Sequence, residues 1–155
     1  MSAPAKPQDG TVRALYLGLA LSVVSALVPL VDVATVDSLG DHVRDAYPTW
    51  PEDLVAADRG AIAGSLAVIG VLGAAGWLWT IVGVRKHARW VRAVSTTLFA
   101  LGACAALLTA TLSGGAYTQV VPPLYSTLTA LPVLVGLAAV VQLWRTGRRT
   151  TAPAA

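Results

Sequence analysis

Long apolar runs alternate with short polar connections along this chain. Four runs contain no Asp, Glu, Lys, Arg or His, and they cover roughly residues 14–31, 60–84, 93–113 and 123–144. A helix needs about 17 to 25 residues to cross the hydrocarbon core of a membrane, and each run meets that length. The pattern predicts an all-α membrane protein in which four transmembrane helices form one bundle, with residues 1–155 as a single domain.

The connection of residues 32–58, between the first two runs, has a pattern of its own. Its apolar positions recur at helical spacing, at Val36, Leu39, Val43 and Ala46. Carboxylates form a second face, at Asp37, Asp41 and Asp45. We expect a short amphipathic helix on the membrane surface, with its apolar face toward the lipid and its carboxylates toward water.

The helix boundaries can also be predicted. Pro48 ends the short helix, and Thr49 and Glu52 have the spacing of a capping box, in which a hydroxyl and a carboxylate bind free amides at a helix start. The second span is therefore predicted to begin outside the membrane. The tails, residues 1–10 and 146–155, are rich in Pro, Ala and Thr and are predicted to be disordered.

Composition supports a membrane protein. The chain is 55% hydrophobic and 12% charged, whereas charged residues make up about a quarter of soluble domains. The net charge of +3 would suggest nucleic acid in a soluble protein, but here the basic residues lie at helix ends, next to lipid headgroups. No nucleic-acid binding is predicted.

The charges also predict a topology. Seven of the eight acidic residues lie in residues 32–58, whereas nine of the eleven basic residues precede the first run, follow the fourth run or lie in the connection of residues 85–92. Because Lys and Arg are retained on the cytoplasmic side, both termini are predicted to be cytoplasmic, with the acidic connection outside the cell membrane. Asp32 occupies a position where signal-peptide cleavage needs a small residue, so the first span is predicted to stay uncleaved.

The second connection is basic and aromatic. Its candidate headgroup-binding residues are Arg85, Lys86, Arg89, Trp90 and Arg92. Basic residues near an anionic membrane surface attract acidic lipids, so these residues are predicted to bind anionic headgroups of the bilayer. A docking site for a cytoplasmic protein is the alternative. The other Trp and Tyr residues near the ends of the runs are interpreted as interfacial anchors.

Small residues in the second span predict where helices pack. Transmembrane helices associate through close contact at small residues, because lipid tails are as apolar as the side chains. The candidate packing positions are Gly60, Gly64, Gly73, Gly76 and Gly83. We expect the second span to be the centre of the bundle, and a surface for a homo-oligomer or another membrane protein is the alternative. Pro132 should kink the fourth span and free the carbonyl near Leu128.

No catalytic or cofactor-binding motif is found. The spans lack the ionisable residues that coupled transport needs, and Cys104 is the only cysteine, so no intrachain disulfide forms. His42 and His87 are predicted to lie on opposite sides of the membrane. Asp37, Asp41 and Asp45 would suit a divalent cation outside the membrane, but a solvated face partnered by Arg44 is the commoner explanation and the one that we expect.

Several short motifs resemble a known group of proteins. These are Gly83-Val84-Arg85, Arg89-Trp90-Val91-Arg92, Ser95-Thr96-Thr97-Leu98-Phe99 and Leu143-Trp144-Arg145. The pattern resembles small four-span membrane proteins of unknown function in high-GC Gram-positive bacteria, and the Ala, Val, Gly and Arg bias agrees with such a source. The resemblance implies no activity, cofactor or catalytic residue.

Two classes of function fit these observations. The first is a non-enzymatic accessory or scaffolding subunit whose helices pack with partners, and the sequence favours it. The second is a carrier or sensor that binds an apolar or lipid-like ligand between the helices. A filled core would support the first class, and a cleft between the spans would support the second.

Overall fold

The chain folds into five helices in the computed structural model, which describes residues 7–86 and 88–149. In chain order they are α1 (Pro7–Thr35), α2 (Ser38–Ala46), α3 (Glu52–Arg85), α4 (Val91–Thr111) and α5 (Pro123–Arg149). Within this part of the chain, α1, α3, α4 and α5 are long and apolar enough to cross a membrane. The predicted all-α bundle of four spans is confirmed, with α2 as the short helix between the first two.

Two helices extend beyond their predicted ends. α1 begins at Pro7 and α5 continues to Arg149, so the prediction of disorder is wrong for residues 7–10 and 146–149. Proline suits the first position of a helix, because its missing N–H would have no partner there. A formed helix also extends at little cost, since each added residue gains one backbone hydrogen bond. The remaining tail residues lie outside the described part of the chain.

The predicted capping box is absent. α3 begins at Glu52 with Pro51 as its N-cap residue, and no side chain caps it. Trp50 precedes a proline, which disfavours the helical conformation at that residue, so the helix cannot begin there. The carbonyl of Pro51 instead accepts hydrogen bonds from the amides of Leu54 (3.1 Å) and Val55 (3.2 Å).

The four spans are not packed equally tightly. α1 packs along both α3 and α5, whereas α4 packs mainly on α5 and contacts α3 far less than α1 does. α2 lies against α3 and α1 at one end of the bundle, which we call the cap end. The opposite end carries Arg85, Lys86, Arg89 and Arg92 and is called the basic end. This uneven packing leaves space between α3 and α4.

Two glycines bring α1 and α3 together. A Cβ at Gly70 would lie 2.6 to 2.8 Å from atoms of Ala26, including its backbone, so only glycine fits there. On α1, a Cβ at Gly18 would lie 2.3 Å from the ring of Trp77 of α3. Gly70 is not among the packing positions predicted in the second span, and Gly18 lies outside that span. Their role depends on the neighbour that each one meets, which the spacing of glycines along one helix does not reveal.

The predicted packing glycines divide into two groups. A Cβ at Gly73 would lie 3.2 Å from the Ser22 hydroxyl, one at Gly76 3.4 Å from Leu98, and one at Gly83 2.9 Å from Val91. These three positions therefore lie in tight contacts. At Gly60 and Gly64, by contrast, a Cβ would meet no atom within 4 Å, so neither is a packing position within one chain.

Proline is accommodated inside α5. Pro132 has no N–H to donate, which frees the carbonyl of Leu128 one turn earlier. The hydroxyl of Ser25 on α1 donates to that carbonyl at 2.9 Å. A neighbouring helix thus satisfies a backbone group that lipid cannot, and the same bond ties α1 to α5.

The apolar face of α2 packs on protein and not on lipid. Leu39 and Val43 are fully buried, and they cluster with Val55 and Ile62 of α3 and with Tyr125 of α5. The predicted orientation toward lipid is therefore wrong for these residues. Only the preceding Val36 is exposed, at 74%. The apolar residues at the ends of α3 and α5 offer α2 a closer-packed surface than lipid does.

We predict opposite effects for the same substitution at two glycines of α3. Gly70→Ala should destabilise the protein by about 1 to 3 kcal/mol, because the new methyl group overlaps the backbone of α1. Gly64→Ala should be neutral or stabilise by up to about 1 kcal/mol, since alanine is the better helix former and space is free. Unfolding in detergent, followed by circular dichroism, measures both. Equal tolerance would contradict the close approach.

Candidate functional site: a central cavity and the cap above it

An apolar cavity lies between the spans at the middle of the bundle. Its volume is about 390 Å³, within the range of roughly 300 to 1,000 Å³ that is usual for ligand sites. The lining extends from Leu66 to Thr80 along α3 and from Thr129 to Leu143 along α5. Either stretch covers about 21 Å at the helical rise of about 1.5 Å per residue. The cavity is therefore long and narrow.

The polar groups in the lining are already hydrogen-bonded. The indole N–H of Trp77 donates to the Ser22 hydroxyl at 3.0 Å, and Thr80 donates to the carbonyl of Gly76 at 2.9 Å. The hydroxyls of the remaining polar lining residues, Ser25, Ser95 and Thr129, donate to the backbone carbonyls of Leu128, Arg92 and Tyr125. The donors of Ser25, Trp77, Thr80, Ser95 and Thr129 are thus engaged with protein acceptors. An occupant would be recognised by its shape and apolar surface, not by hydrogen bonds.

The cavity opens sideways between α3 and α4. Leu72 of α3 and Leu101 of α4 both line it, yet 66% and 62% of their surfaces are exposed. Residues that face both the interior and the outside mark the edge of an opening. Because these residues lie in the middle of two spans, the opening faces the lipid. An apolar molecule would enter from the membrane without crossing water.

Both ends of the cavity are closed by packed side chains. Toward the basic end, Leu15, Ile81 and Ala139 form a buried cluster against which Trp77 packs. Toward the cap end, the cluster beneath α2 seals the bundle, and Leu66 belongs to both that cluster and the cavity lining. Trp77 is thus an interior residue and not the interfacial anchor that its position in the sequence suggested.

Asp32 anchors α2, the short helix that forms the cap of the bundle. Its carboxylate accepts hydrogen bonds from the Ser38 hydroxyl (2.7 Å), the Ser38 amide (3.3 Å) and the Leu39 amide (3.1 Å), which are free donors at the start of α2. The Ser38 hydroxyl lies 3.2 Å from the hydroxyl of buried Tyr125. This role could not be predicted from the sequence, because Asp32 precedes α2 by six residues and not by one. Tyr125, expected at the interface, is also part of the core.

Ion pairs join α2 to the start of α3. Asp37 pairs with Arg59 at 2.8 Å and with Arg44 at 3.6 Å, and Arg44 also contacts Asp41 (2.9 Å) and Glu52 (3.0 Å). The hydrogen bond to Glu52 raises the pKa of the Arg44 guanidinium above its ordinary value. Asp37 adopts a left-handed conformation (φ 59°), which aspartate tolerates better than most residues. This conformation turns the chain from α1 into α2.

The proposed cation site is not formed. Within the described part of the chain, no group of three or more His, Cys, Asp and Glu side chains could hold a metal ion. Asp37 and Asp41 are neutralised by arginines, and Asp45 is exposed. The arrangement agrees with the other explanation of these residues, a polar face that Arg44 partners. His42 lies in the same region, whereas His87 lies outside the described residues.

The link between α4 and α5 folds over the cap. The Tyr117 hydroxyl donates to the carboxylate of Asp58 at 2.5 Å, and a nitrogen of the His42 ring lies 3.0 Å from the carbonyl of Gln119. The rings of His42 and Tyr117 stack with their centres 5.3 Å apart. Burial raises the pKa of the Tyr117 hydroxyl, and the nearby Asp58 carboxylate raises it further. These contacts fix α2 from a second side.

The basic end stays open to its surroundings. Arg85, Lys86, Arg89 and Trp90 are exposed, and the guanidinium of Arg92 lies 5.9 Å from the centre of the Trp144 ring. The headgroup-binding residues predicted from the sequence thus share one surface. Cys104 is exposed on α4.

The comparisons with known proteins give no relative. No family model, no curated protein and no solved structure matches this chain. The resemblance to four-span proteins of high-GC Gram-positive bacteria therefore stays a prediction.

We predict that the cap depends on the charge of Asp37. Asp37→Asn should cost about 1 to 3 kcal/mol of stability, because it leaves the half-buried guanidinium of Arg59 without its charged partner. Asp45→Asn on the same helix is the matched control, and its exposed carboxylate should contribute almost nothing. Thermal unfolding in a neutral detergent measures both. Similar melting temperatures for the two variants would show that the ion pairs do not hold the cap.

Proposed function

We propose that this protein is a non-enzymatic membrane protein that binds an apolar or lipid-like ligand between its helices, as a carrier or sensor. The apolar cavity that opens toward the lipid is the observation that carries this proposal. Burial of an apolar chain in a cavity without free polar donors needs no compensating hydrogen bonds. The position of the opening supports a ligand that is dissolved in the membrane.

The cavity favours this function over the scaffolding role that the sequence favoured. A scaffold held together by helix packing should have a filled core, because the atoms that line a void lose van der Waals contacts. A partner helix cannot fill this one, since a helix with its side chains is about 10 to 12 Å wide. A cavity of about 390 Å³ that extends for about 21 Å is narrower than a helix along its length.

We predict that filling the cavity abolishes binding. Ala105 lines the cavity, whereas Ala100 on the same helix is exposed and does not. Ala105→Phe should therefore lower the affinity for an apolar probe with a labelled chain at least tenfold. Ala100→Phe should bind this probe as the wild type does. Equilibrium binding in neutral detergent micelles measures both. Equal affinity in the two variants would rule out the cavity as the site.

We also infer the orientation of the protein in the cell membrane. Both termini and the basic end would be cytoplasmic and the cap would be outside, because Lys and Arg are concentrated at the basic end. This orientation exposes the ion pairs of the cap to the outside. It also brings the arginines of the basic end to the anionic surface of the inner leaflet.

The orientation can be tested by cysteine labelling of intact cells. In a Cys104→Ala background, Ser2→Cys and Thr151→Cys should resist a membrane-impermeant reagent, whereas Asp45→Cys in the cap should react, because Asp45 is exposed. Lysed cells provide the control, since all three thiols should then react. Labelling of the termini but not of the cap in intact cells would reverse the topology.

A further inference from the structure

We propose that the cavity and the basic end act together as one site for an anionic amphiphile with a single hydrocarbon chain, such as a fatty acid. The chain would lie in the cavity and the anionic headgroup would lie at the α3–α4 turn. This inference rests on the proposed function and adds the chemical class of the ligand. Three observations support it: the shape of the cavity, the position of its opening and the distribution of unpaired charge.

The shape of the cavity selects one chain. The hydrocarbon core of a membrane is about 30 Å thick, so a lipid chain in one leaflet spans about half of it, roughly 15 Å. The cavity runs for about 21 Å along α3, so it is long enough for such a chain. A cavity this narrow matches one chain that lies along its length.

The opening and the basic residues belong to the same pair of helices. The opening lies between Leu72 of α3 and Leu101 of α4, and the turn that joins these helices carries Arg85, Lys86 and Arg89. The lining of the cavity also reaches close to this turn, because Ser95 is three residues from Arg92, which corresponds to about 5 Å along α4. A chain that enters the opening from the leaflet at the basic end would therefore place its headgroup close to this turn.

The charges favour an anionic headgroup there. All ion pairs between described residues lie at the cap end, where carboxylates neutralise Arg44 and Arg59. Arg85, Lys86 and Arg89 are exposed, and they form no ion pair with any carboxylate among residues 10–86 and 88–145, the part of the chain whose side chains the structure describes. An anionic group at the cap end would meet a surplus of carboxylates. At the basic end it would meet cations that have no partner within the described chain.

The experiment compares two probes with the same chain, a chain-brominated fatty acid and the corresponding alcohol, at pH 9 in neutral detergent. Bromine quenches tryptophan fluorescence on contact, and Trp77 lines the cavity. The part of the quenching that Trp77→Phe removes therefore measures binding in the cavity. Retention of radiolabelled probe through gel filtration gives a second readout that does not depend on Trp77. Thermal unfolding confirms that each variant is folded.

We expect the wild type to bind the ionised acid at least about fivefold more tightly than the alcohol, since one basic residue near an anionic surface contributes about that factor. The double variant Arg85→Gln, Arg89→Gln should lose this preference and still bind the alcohol. Arg13→Gln is the matched control, because Arg13 is exposed on α1 near the same end but away from the opening. It should keep the preference.

The possible failures are distinguishable. Equal binding of acid and alcohol by the wild type would overturn the proposed anionic headgroup and leave the apolar ligand standing. A preference that Arg13→Gln reduces as much as the double variant does would also overturn it, because net charge and not the α3–α4 turn would then be responsible. Binding of neither probe would overturn the proposed function itself.

Discussion

Close contact between backbones is the constraint on which this bundle depends. In a membrane, the burial of apolar side chains against other helices gains little, because lipid is equally apolar. Helices must instead approach closely enough to gain van der Waals contact, and Gly70 allows α3 to reach the backbone of α1 at Ala26. Gly18 allows the ring of Trp77 to lie against α1 in return. The position of α1 against α3 follows from these two contacts.

The cavity is the consequence of where such contacts stop. α4 meets α3 closely at the turn between them, where Gly83 packs against Trp90 and Val91. Beyond that turn α4 packs mainly on α5, and the side facing α3 stays open. The hydroxyls in this region donate to helix carbonyls, which removes the polar groups that would otherwise attract water. An apolar space that opens to lipid is what remains, and a lipid-like occupant is the simplest match to its chemistry.

The two ends of the molecule use charge in different ways. At the cap end, Asp37 brings two arginines together, and Asp32 satisfies the amides at the start of α2, so the polar groups stabilise the fold. At the basic end, Arg85, Lys86 and Arg89 are exposed and have no carboxylate partner in the described part of the chain. Paired charges serve the structure, whereas unpaired charges remain available to a ligand or a membrane surface. This contrast supports the assignment of the headgroup site to the basic end.

The sequence alone determined the four spans and the short helix between them, because span length and helical periodicity are local properties of the chain. It also predicted that Pro132 would free the carbonyl near Leu128, since the missing N–H is local too. Only the tertiary structure decided which glycines pack, because Gly70 and Gly64 differ in what faces them and not in their own chemistry. The same holds for the burial of Leu39 on protein instead of lipid, for the capping of α2 by the distant Asp32, and for the cavity. Each of these depends on residues that are far apart in the chain, and a pattern within one helix carries no information about the surface that the helix will meet.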